Sequence, residues 1–287
     1  MTNTAPNQNA PVQLSAEGFA RVAALAEREA GLTIPETKAA MVQSRLSRRL
    51  RATGHADFAA YLTHVEGKDG ATERDHMISA LTTNVSHFFR EEHHFETLRE
   101  KVLPPLIDRL RSGGRVRIWS AGCSSGQEPY SIAISVLEVL PDAARHDIKI
   151  LATDIDRAIL SKARAGSYDS RQIGGISADR QRAHFETGQG PEDWRVNQAL
   201  RDLISFRQLN LIDPWPMRGR FDAIFCRNVV IYFSPATQSG LWPRFAAALQ
   251  PDGWFFLGHS ERVQDDGAGL FRPDGVTTYR RVAAAAS

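Results

Sequence analysis

Apolar positions in the first 80 residues recur at helical spacing. Phe19, Val22, Leu25 and Ala26 share one face of a segment that Ser15 can cap, with Glu17 in its first turn, and that Gly31 can end. Pro35 can open a second helix carrying Met41, Leu46 and Leu50, closed by Gly54. Residues 56–65 and 72–82 keep the same period, and no strand pattern precedes about residue 115. The period then changes. Apolar runs at 115–120, 147–153, 204–209, 221–226 and 253–258 predict strands, with helices at 126–139, 156–166 and 235–249 between them. That alternation predicts an α/β fold, a doubly wound and mostly parallel sheet with helices on both faces. The interval 168–203 breaks the rhythm with Gly174, Gly175, Gly188, Gly190, Pro191 and Trp194, and reads as an inserted subdomain. The expected organisation is a flexible tail at 1–13, a small all-helical domain at 14–80 and an α/β domain at 81–287.

Composition narrows the class without naming it. The chain has 287 residues, 42% hydrophobic and 24% charged, which suits an ordinary globular protein of two domains. A net charge of +2 gives no general case for nucleic acid. No apolar run could span a bilayer and no secretory signal pattern opens the chain, so a cytoplasmic protein without membrane insertion is expected. Cys123 and Cys226 close predicted strands and read as small buried thiols rather than a disulfide. Arg45, Arg48 and Arg49 share a helix face at i, i+3, i+4 spacing. They form either a solvated basic face or a dock for an acidic partner.

The richest segment runs from Val116 to Ser131. An apolar strand ends in Ser120-Ala121-Gly122-Cys123-Ser124-Ser125-Gly126 and then opens a helix at Gln127-Glu128. Strand, tight turn and helix start are the layout that holds an adenosine-type cofactor. The full G-x-G-x-x-G spacing is missing, and Glu128 is unsuited to a diphosphate. S-adenosylmethionine, with its sulfonium and amino group, fits such a site better. Asp154 closes the second predicted strand about 25 residues on, where an acid can grip ribose hydroxyls. It could instead cap the next helix, although Asp156 is the better placed cap.

Two further clusters carry polar chemistry. In Thr82-Thr83-Asn84-Val85-Ser86-His87-Phe88-Phe89-Arg90-Glu91, the phenylalanines can plug the domain junction, and Arg90 can present a planar fork to a carboxylate. In Phe221–Phe233, Arg227 and Asn228 follow a buried strand and Tyr232 lies about one turn later, at the sheet edge where such folds bind ligands. A satisfied polar turn is the plainer reading there. His87, His93 and His94 do not read as a metal site, because adjacent histidines should diverge and no H-E-x-x-H accompanies them. No nucleophile elbow and no P-loop occur.

Taken in order, Thr82–Glu91, Ala121–Ser131, Ala152-Thr153-Asp154-Ile155-Asp156, Asn210-Leu211 and Phe225–Phe233 resemble the CheR family of chemoreceptor glutamate methyltransferases. The resemblance begins near residue 14. It implies a class I methyltransferase domain with an inserted β-subdomain, using S-adenosylmethionine without a metal. It implies that Asn84, Ser86, Arg90, Glu128, Asp154, Asn210, Leu211, Arg227 and Asn228 line the cofactor site. Arg90 and Tyr232 would then lie nearest the transferred methyl and the incoming glutamate. The helical domain would dock on the cytoplasmic helical domain of chemoreceptors through Arg45, Arg48 and Arg49. The Gly188–Val196 loop resembles the one that holds a receptor's C-terminal pentapeptide but is shorter, so no such tether is expected. A monomer is expected.

Overall fold

The structure is a computed structural model that describes residues 12–188, 190, 193–264, 267 and 269–283. Most of the expected tail, and residues 189, 191 and 192 of the shortened loop, lie outside the described residues. The chain divides into two compact units at Thr82.

The first unit holds α1 (Ala16–Ala30), α2 (Ala39–Thr53), α3 (Phe58–Glu66) and α4 (Ala71–Leu81). Ser15 Oγ accepts the Gly18 N–H, and Gly31 closes α1 in the left-handed conformation. Pro35 does not start α2 directly. It leads a single 3-10 turn, Glu36–Lys38, and the α-helix begins at Ala39. Val22, Leu25, Val42, Leu46, Tyr61 and Met77 are among the buried side chains of this unit.

Its arginines correct the expectation of one basic face. Arg49 forms a fork on buried Glu73, with Nε donating at 2.9 Å and a second nitrogen at 2.5 Å. The Tyr61 hydroxyl donates to the same carboxylate at 2.8 Å. Arg45 caps the end of α4, donating to the carbonyls of Leu81 and Thr82 at 2.9 Å. Orphan carbonyls at a helix end need such partners. Of the three arginines only Arg48 is exposed.

The second unit opens with α5 (His93–Thr97), which runs through a π-helical turn, Leu98–Val102, into α6 (Leu103–Arg111). There follow β1 (Arg115–Ala121), α7 (Gln127–Val139), β2 (Asp147–Asp154), α8 (Arg157–Ala165), β3 (Ser167–Asp169), α9 (Ser170–Ile173), α10 (Ala178–His184), β4 (Phe185–Thr187), β5 (Asp193–Val196) and α11 (Gln198–Leu203). The chain continues with β6 (Ile204–Gln208), β7 (Phe221–Cys226), α12 (Pro235–Ala248), β8 (Leu249–Leu257), β9 (Phe271–Pro273) and β10 (Thr278–Arg281). The main sheet has the order β6-β2-β1-β7-β8-β10-β9. Its first five strands are parallel; β10 runs antiparallel to both β8 and β9.

Strand order reverses around β1, whose neighbours are β2 and the much later β7. Such a switch point opens a crevice at the carboxyl edge of the sheet. The helix expected at 235–249 stops at Ala248, and Leu249 already belongs to β8. The insertion forms a second sheet, β3-β5-β4, fully antiparallel.

Phe88 and Phe89 lie in the core of this second unit. Phe88 packs edge-on against Tyr168 and Phe185 of the inserted subdomain, and Phe89 against Phe95. Both cysteines are buried and free.

Candidate active site

The loop after β1 is held by the neighbouring strand. The Thr153 carbonyl accepts the N–H groups of both Gly122 and Cys123 at 2.8 Å. Gly122 sits at φ 81°, and a Cβ there would fall 2.3 Å from Val229 Cγ2. A side chain would therefore push apart the ends of β1 and β7. Ser124 adopts φ 50°, a conformation costly for a serine, and its N–H donates to Asp154 Oδ2 at 2.8 Å.

Asp154 accepts a second backbone N–H, that of Asp156, at 3.0 Å on Oδ1. The capping role falls to Asp156, whose carboxylate accepts from Ala158 and Ile159. Asp154 is thus released from helix capping, and two backbone donors leave lone pairs on its carboxylate for ligand hydroxyls. Burial pushes its pKa up to about 6, against the pull of the Asp156 and Ser124 N–H groups.

Asn84 joins this corner by donating to Asp156 Oδ2 at 3.0 Å. Leu209 N–H donates to the Asp154 carbonyl at 3.0 Å, which brings Asn210 and buried Leu211 beside the end of β2. Arg244 secures that segment from α12. It donates to the Leu211 and Ile212 carbonyls at 2.8 and 3.2 Å, also to that of Asp213, and lies 4.4 Å over the Trp215 ring. Ser86 is half-buried in the strandless segment before Phe88.

On the other side of β1 the site is ionic. The Arg227 side chain is 2% exposed and lies 3.2 Å from both Glu128 and Glu91. It also donates to the Arg90 carbonyl. Glu128 is held on its other oxygen by Ser120 Oγ at 2.7 Å. The sequence reading offered Glu128 to a cationic cofactor; Arg227 is its cationic neighbour here. Burial raises the Glu128 pKa, with Arg227 opposing. Glu91 is half-buried, which favours the neutral form, but Arg227 and His259 outweigh that and hold its carboxyl down at about 2.

Arg90 stands between two non-glycine residues with left-handed backbones, Phe89 at φ 52° and Glu91 at φ 58°. Such conformations persist where the surroundings over-determine them, and they gather at functional sites. Here the Phe89 N–H donates to Ser131 Oγ at 2.9 Å, and Arg180 lies 3.9 Å over the Phe89 ring. The Arg90 guanidinium donates to the Val85 carbonyl at 3.2 Å and is 3.9 Å from Glu91. Asn228 repeats the left-handed backbone at φ 58° at the end of β7, and half-buried Tyr232 follows on a 3-10 turn, Val230–Tyr232.

The histidines behave differently from expectation. The rings of His93 and His94 lie 4.1 Å apart instead of diverging. Buried His94 uses Nε2 toward Thr277 Oγ1 at 3.0 Å and the Val276 carbonyl, and burial drives its pKa down to about 3.

Sequence reasoning gave no role to Glu91, Arg244 or Glu261. Glu261 lies in Gly258-His259-Ser260-Glu261, directly after the apolar end of β8, and polar residues at a strand's carboxyl end were the available signal.

The fit to S-adenosylmethionine rests on unspent polar groups. Among the described residues, Ser124 Oγ and Asn228 Nδ2 are buried without hydrogen-bond partners. Buried polar atoms of that kind call for a polar ligand or water. Ser124 adjoins the Asp154 carboxylate, which has lone pairs to spare, as a ribose-bearing ligand requires.

The sheet order with its antiparallel β10, and an acid at the end of β2 beside a small-residue loop, define a class I methyltransferase fold. The chain belongs to the CheR methyltransferase family. That family's S-adenosylmethionine-binding domain matches residues 84–279, and its all-alpha domain matches residues 17–82. The probable chemotaxis protein methyltransferase of Rhizobium etli is 50% identical, over 88% of this chain and 95% of its own length. Chemotaxis protein methyltransferase 2 of Pseudomonas aeruginosa is 42% identical over 92% of each chain. The chemotaxis protein methyltransferase of Escherichia coli is 41% identical over 86% of this chain and 85% of its own. No helix among the described residues is long and apolar enough to cross a membrane.

Proposed function

We propose that this protein methylates glutamate side chains of chemoreceptors, producing glutamate methyl esters and S-adenosylhomocysteine. The observation that carries the reading is Arg90. It is a half-buried cation fixed between two left-handed residues, and its acidic neighbour Glu91 is already engaged by Arg227. Such a group can receive an incoming carboxylate. The names of the relatives support the chemotactic setting.

S-adenosylmethionine supplies an electrophilic sulfonium methyl: the glutamate oxygen forms the O–CH3 bond as the S–CH3 bond breaks, its electron pair stays on sulfur, and the two opposite charges vanish. A glutamate with a pKa near 4.3 is already ionised at neutral pH, so no residue of this chain needs to remove a proton. Arg90 positions the carboxylate, and Tyr232 donates a hydroxyl hydrogen bond to it. Neither should bind it too firmly, because tight binding of the charged ground state slows a reaction that consumes charge. Alignment therefore supplies most of the acceleration. Asp154 holds ribose hydroxyls, while Asn84, Ser86, Glu128, Asn210, Leu211, Arg227 and Asn228 complete the cofactor's surroundings. The protein acts as a monomer in the cytoplasm. It reaches the receptor helices through the helical unit, with Arg48 foremost, and without a pentapeptide tether.

The test is incubation with methyl-labelled S-adenosylmethionine and receptor-bearing membranes, followed by mild alkali. Volatile methanol from receptor-sized bands supports carboxyl methyl esters. Alkali-stable label means a different acceptor atom. Absence of label with cofactor binding intact means either receptors that are not its substrates or a binding module.

A further inference from the structure

Glu261 is a buried carboxylate, 5% exposed, with no lysine or arginine within ion-pair distance among the described residues. Four backbone N–H groups hold it instead. Oε2 accepts from Gly258 at 2.6 Å and Asn228 at 2.7 Å. Oε1 accepts from Val229 at 2.8 Å and Ile231 at 3.1 Å. Three of these donors belong to the loop after β7. Its left-handed Asn228 turns successive amides inward, into the kind of concavity that binds anions. Burial raises the Glu261 pKa, and the backbone donors oppose it.

Glycine at 258 is part of the same device. A Cβ there would fall 2.3 Å from Asn228 Nδ2 and 2.7 Å from Asn228 N. The end of β8 can approach Asn228 closely only without a side chain, and the Glu261 N–H closes the turn onto the Gly258 carbonyl at 2.9 Å.

The clamped loop leads directly to the proposed chemistry. Arg227 precedes Asn228 and donates to the Arg90 carbonyl. The Tyr232 N–H donates to the Val229 carbonyl at 3.2 Å, so the turn carrying its hydroxyl starts from a residue that Glu261 holds.

We infer that Glu261 is a positioning residue for methyl transfer, setting the Arg227–Tyr232 loop so that Arg90 and Tyr232 meet the acceptor carboxylate in register. It touches no reacting atom, and the inference rests on the function proposed above. A glutamine would turn one acceptor oxygen into an N–H donor facing amides that need an acceptor. A misplacement of about 1 Å can cost roughly 100-fold in rate.

The experiment compares wild type with Glu261→Gln in turnover at saturating cofactor, acceptor KM, and the stoichiometry of S-adenosylhomocysteine binding by calorimetry. The expected result is turnover lower by roughly 10- to 100-fold, with stoichiometry still near one and acceptor KM little changed. A purely structural role would lower stoichiometry and turnover together. Turnover within about threefold of wild type, or a loss no larger than the loss of binding-competent protein, overturns the inference. If the glutamine variant does not fold, Glu261→Asp keeps the acceptor charge but withdraws it by one methylene from the four backbone N–H groups, and the same two outcomes are read from it. Wild type that releases no alkali-labile methanol refutes the proposed function. Wild type and variant that label receptors equally refute only the role of Glu261.

Discussion

Arg227 and Glu91 meet 3.2 Å apart, with the arginine side chain 2% and the glutamate 11% exposed, and Glu128 meets the same guanidinium at the same distance. One buried cation thus compensates two carboxylates. Breaking such a buried pair costs about 3–5 kcal/mol, because the partner charge is left without compensation. Arg227→Ala is expected to lower the free energy of denaturant unfolding by about that much. Arg227→Lys should recover little, since a lysine cannot span both acids as a planar fork does. An alanine variant as stable as wild type would mean that the acids find water or other donors.

The same pair sets an acid limit. The Glu91 carboxyl lies at about 2 in the folded protein against an ordinary 4.5. A depressed carboxyl contributes stability that is complete above the unfolded value and lost as pH falls through the folded one. The Glu91 contribution should therefore fade between about pH 4.5 and pH 2 in wild type and be smaller in Arg227→Ala, where only His259 still favours the ionised carboxyl. Unfolding midpoints across that range, compared with Glu91→Gln, measure it; parallel curves for all three proteins would refute the assignment.

Asp154 has the opposite sign. Its pKa is raised to about 6 from 3.8. The stability contributed by its protonated form is present below the unfolded value and lost as pH rises through about 6. If the ionised carboxylate grips ribose hydroxyls, S-adenosylhomocysteine affinity should weaken below pH 6, approaching tenfold per unit in the limit. Calorimetry in buffers of different ionisation enthalpy should show proton release on binding near pH 6. Asp154→Asn should bind weakly and lose the pH dependence; an unchanged profile in that variant would place the titrating group elsewhere.

The main elements of this fold were legible because the chain repeats its signals. The parallel strands are short apolar runs and the helices between them are amphipathic, so period alone separated them. Gly31, Gly54, Ser15 and Asp156 marked helix ends through local hydrogen bonding that needs no tertiary context. Helices α5 and α6 were not legible although Leu98, Val102, Leu103, Ile107 and Leu110 are all buried at helical spacing, because Pro104-Pro105 reads as a break inside that period. Strands β9 and β10 span three and four residues and are mostly polar, too short for alternation to register. At the site, Asp154, Arg227 and Asn228 could be placed from strand ends. That Arg45 and Arg49 serve internal partners could not be read, since Glu73 and the end of α4 approach them only after folding.

That correction divides the basic helix experimentally. Arg49→Ala should destabilise the protein by about 3 kcal/mol, because buried Glu73 loses its fork. Arg48→Glu should leave the unfolding midpoint unchanged and weaken association with receptor membranes, most clearly at low salt, because it reverses an exposed charge. Sedimentation of the protein with membranes measures the second effect. Binding that Arg48→Glu leaves untouched would remove this helix from the proposed docking surface.

Arg90 is expected to act on the acceptor rather than on the fold. Its guanidinium is 27% exposed, donates to Val85, and lies 3.9 Å from an already engaged acid. Arg90→Ala should keep the unfolding midpoint and lower turnover by roughly 100-fold, the order of loss when a reactant is no longer aligned. Full turnover with normal cofactor binding would refute the role.

Arg244 should behave in the reverse way. It lies on α12, donates to the carbonyls of Leu211, Ile212 and Asp213, and stacks on Trp215, whose indole N–H also donates to the Leu211 carbonyl at 3.1 Å. Those carbonyls belong to the loop that brings Asn210 and Leu211 beside Asp154. Removing the guanidinium leaves the carbonyls to water and loosens the loop in the free protein, so ordering it again is charged against cofactor binding. Arg244→Ala should raise the cofactor KM by about tenfold, equivalent to about 1.4 kcal/mol, while turnover at saturating cofactor stays near wild type. Arg244→Lys should recover part of the affinity, because an ammonium can reach one or two of the carbonyls but cannot stack. If turnover fell and the cofactor KM did not move, this loop would belong to the acceptor side of the reaction, and the assignment of Asn210 and Leu211 to the cofactor would fall with it.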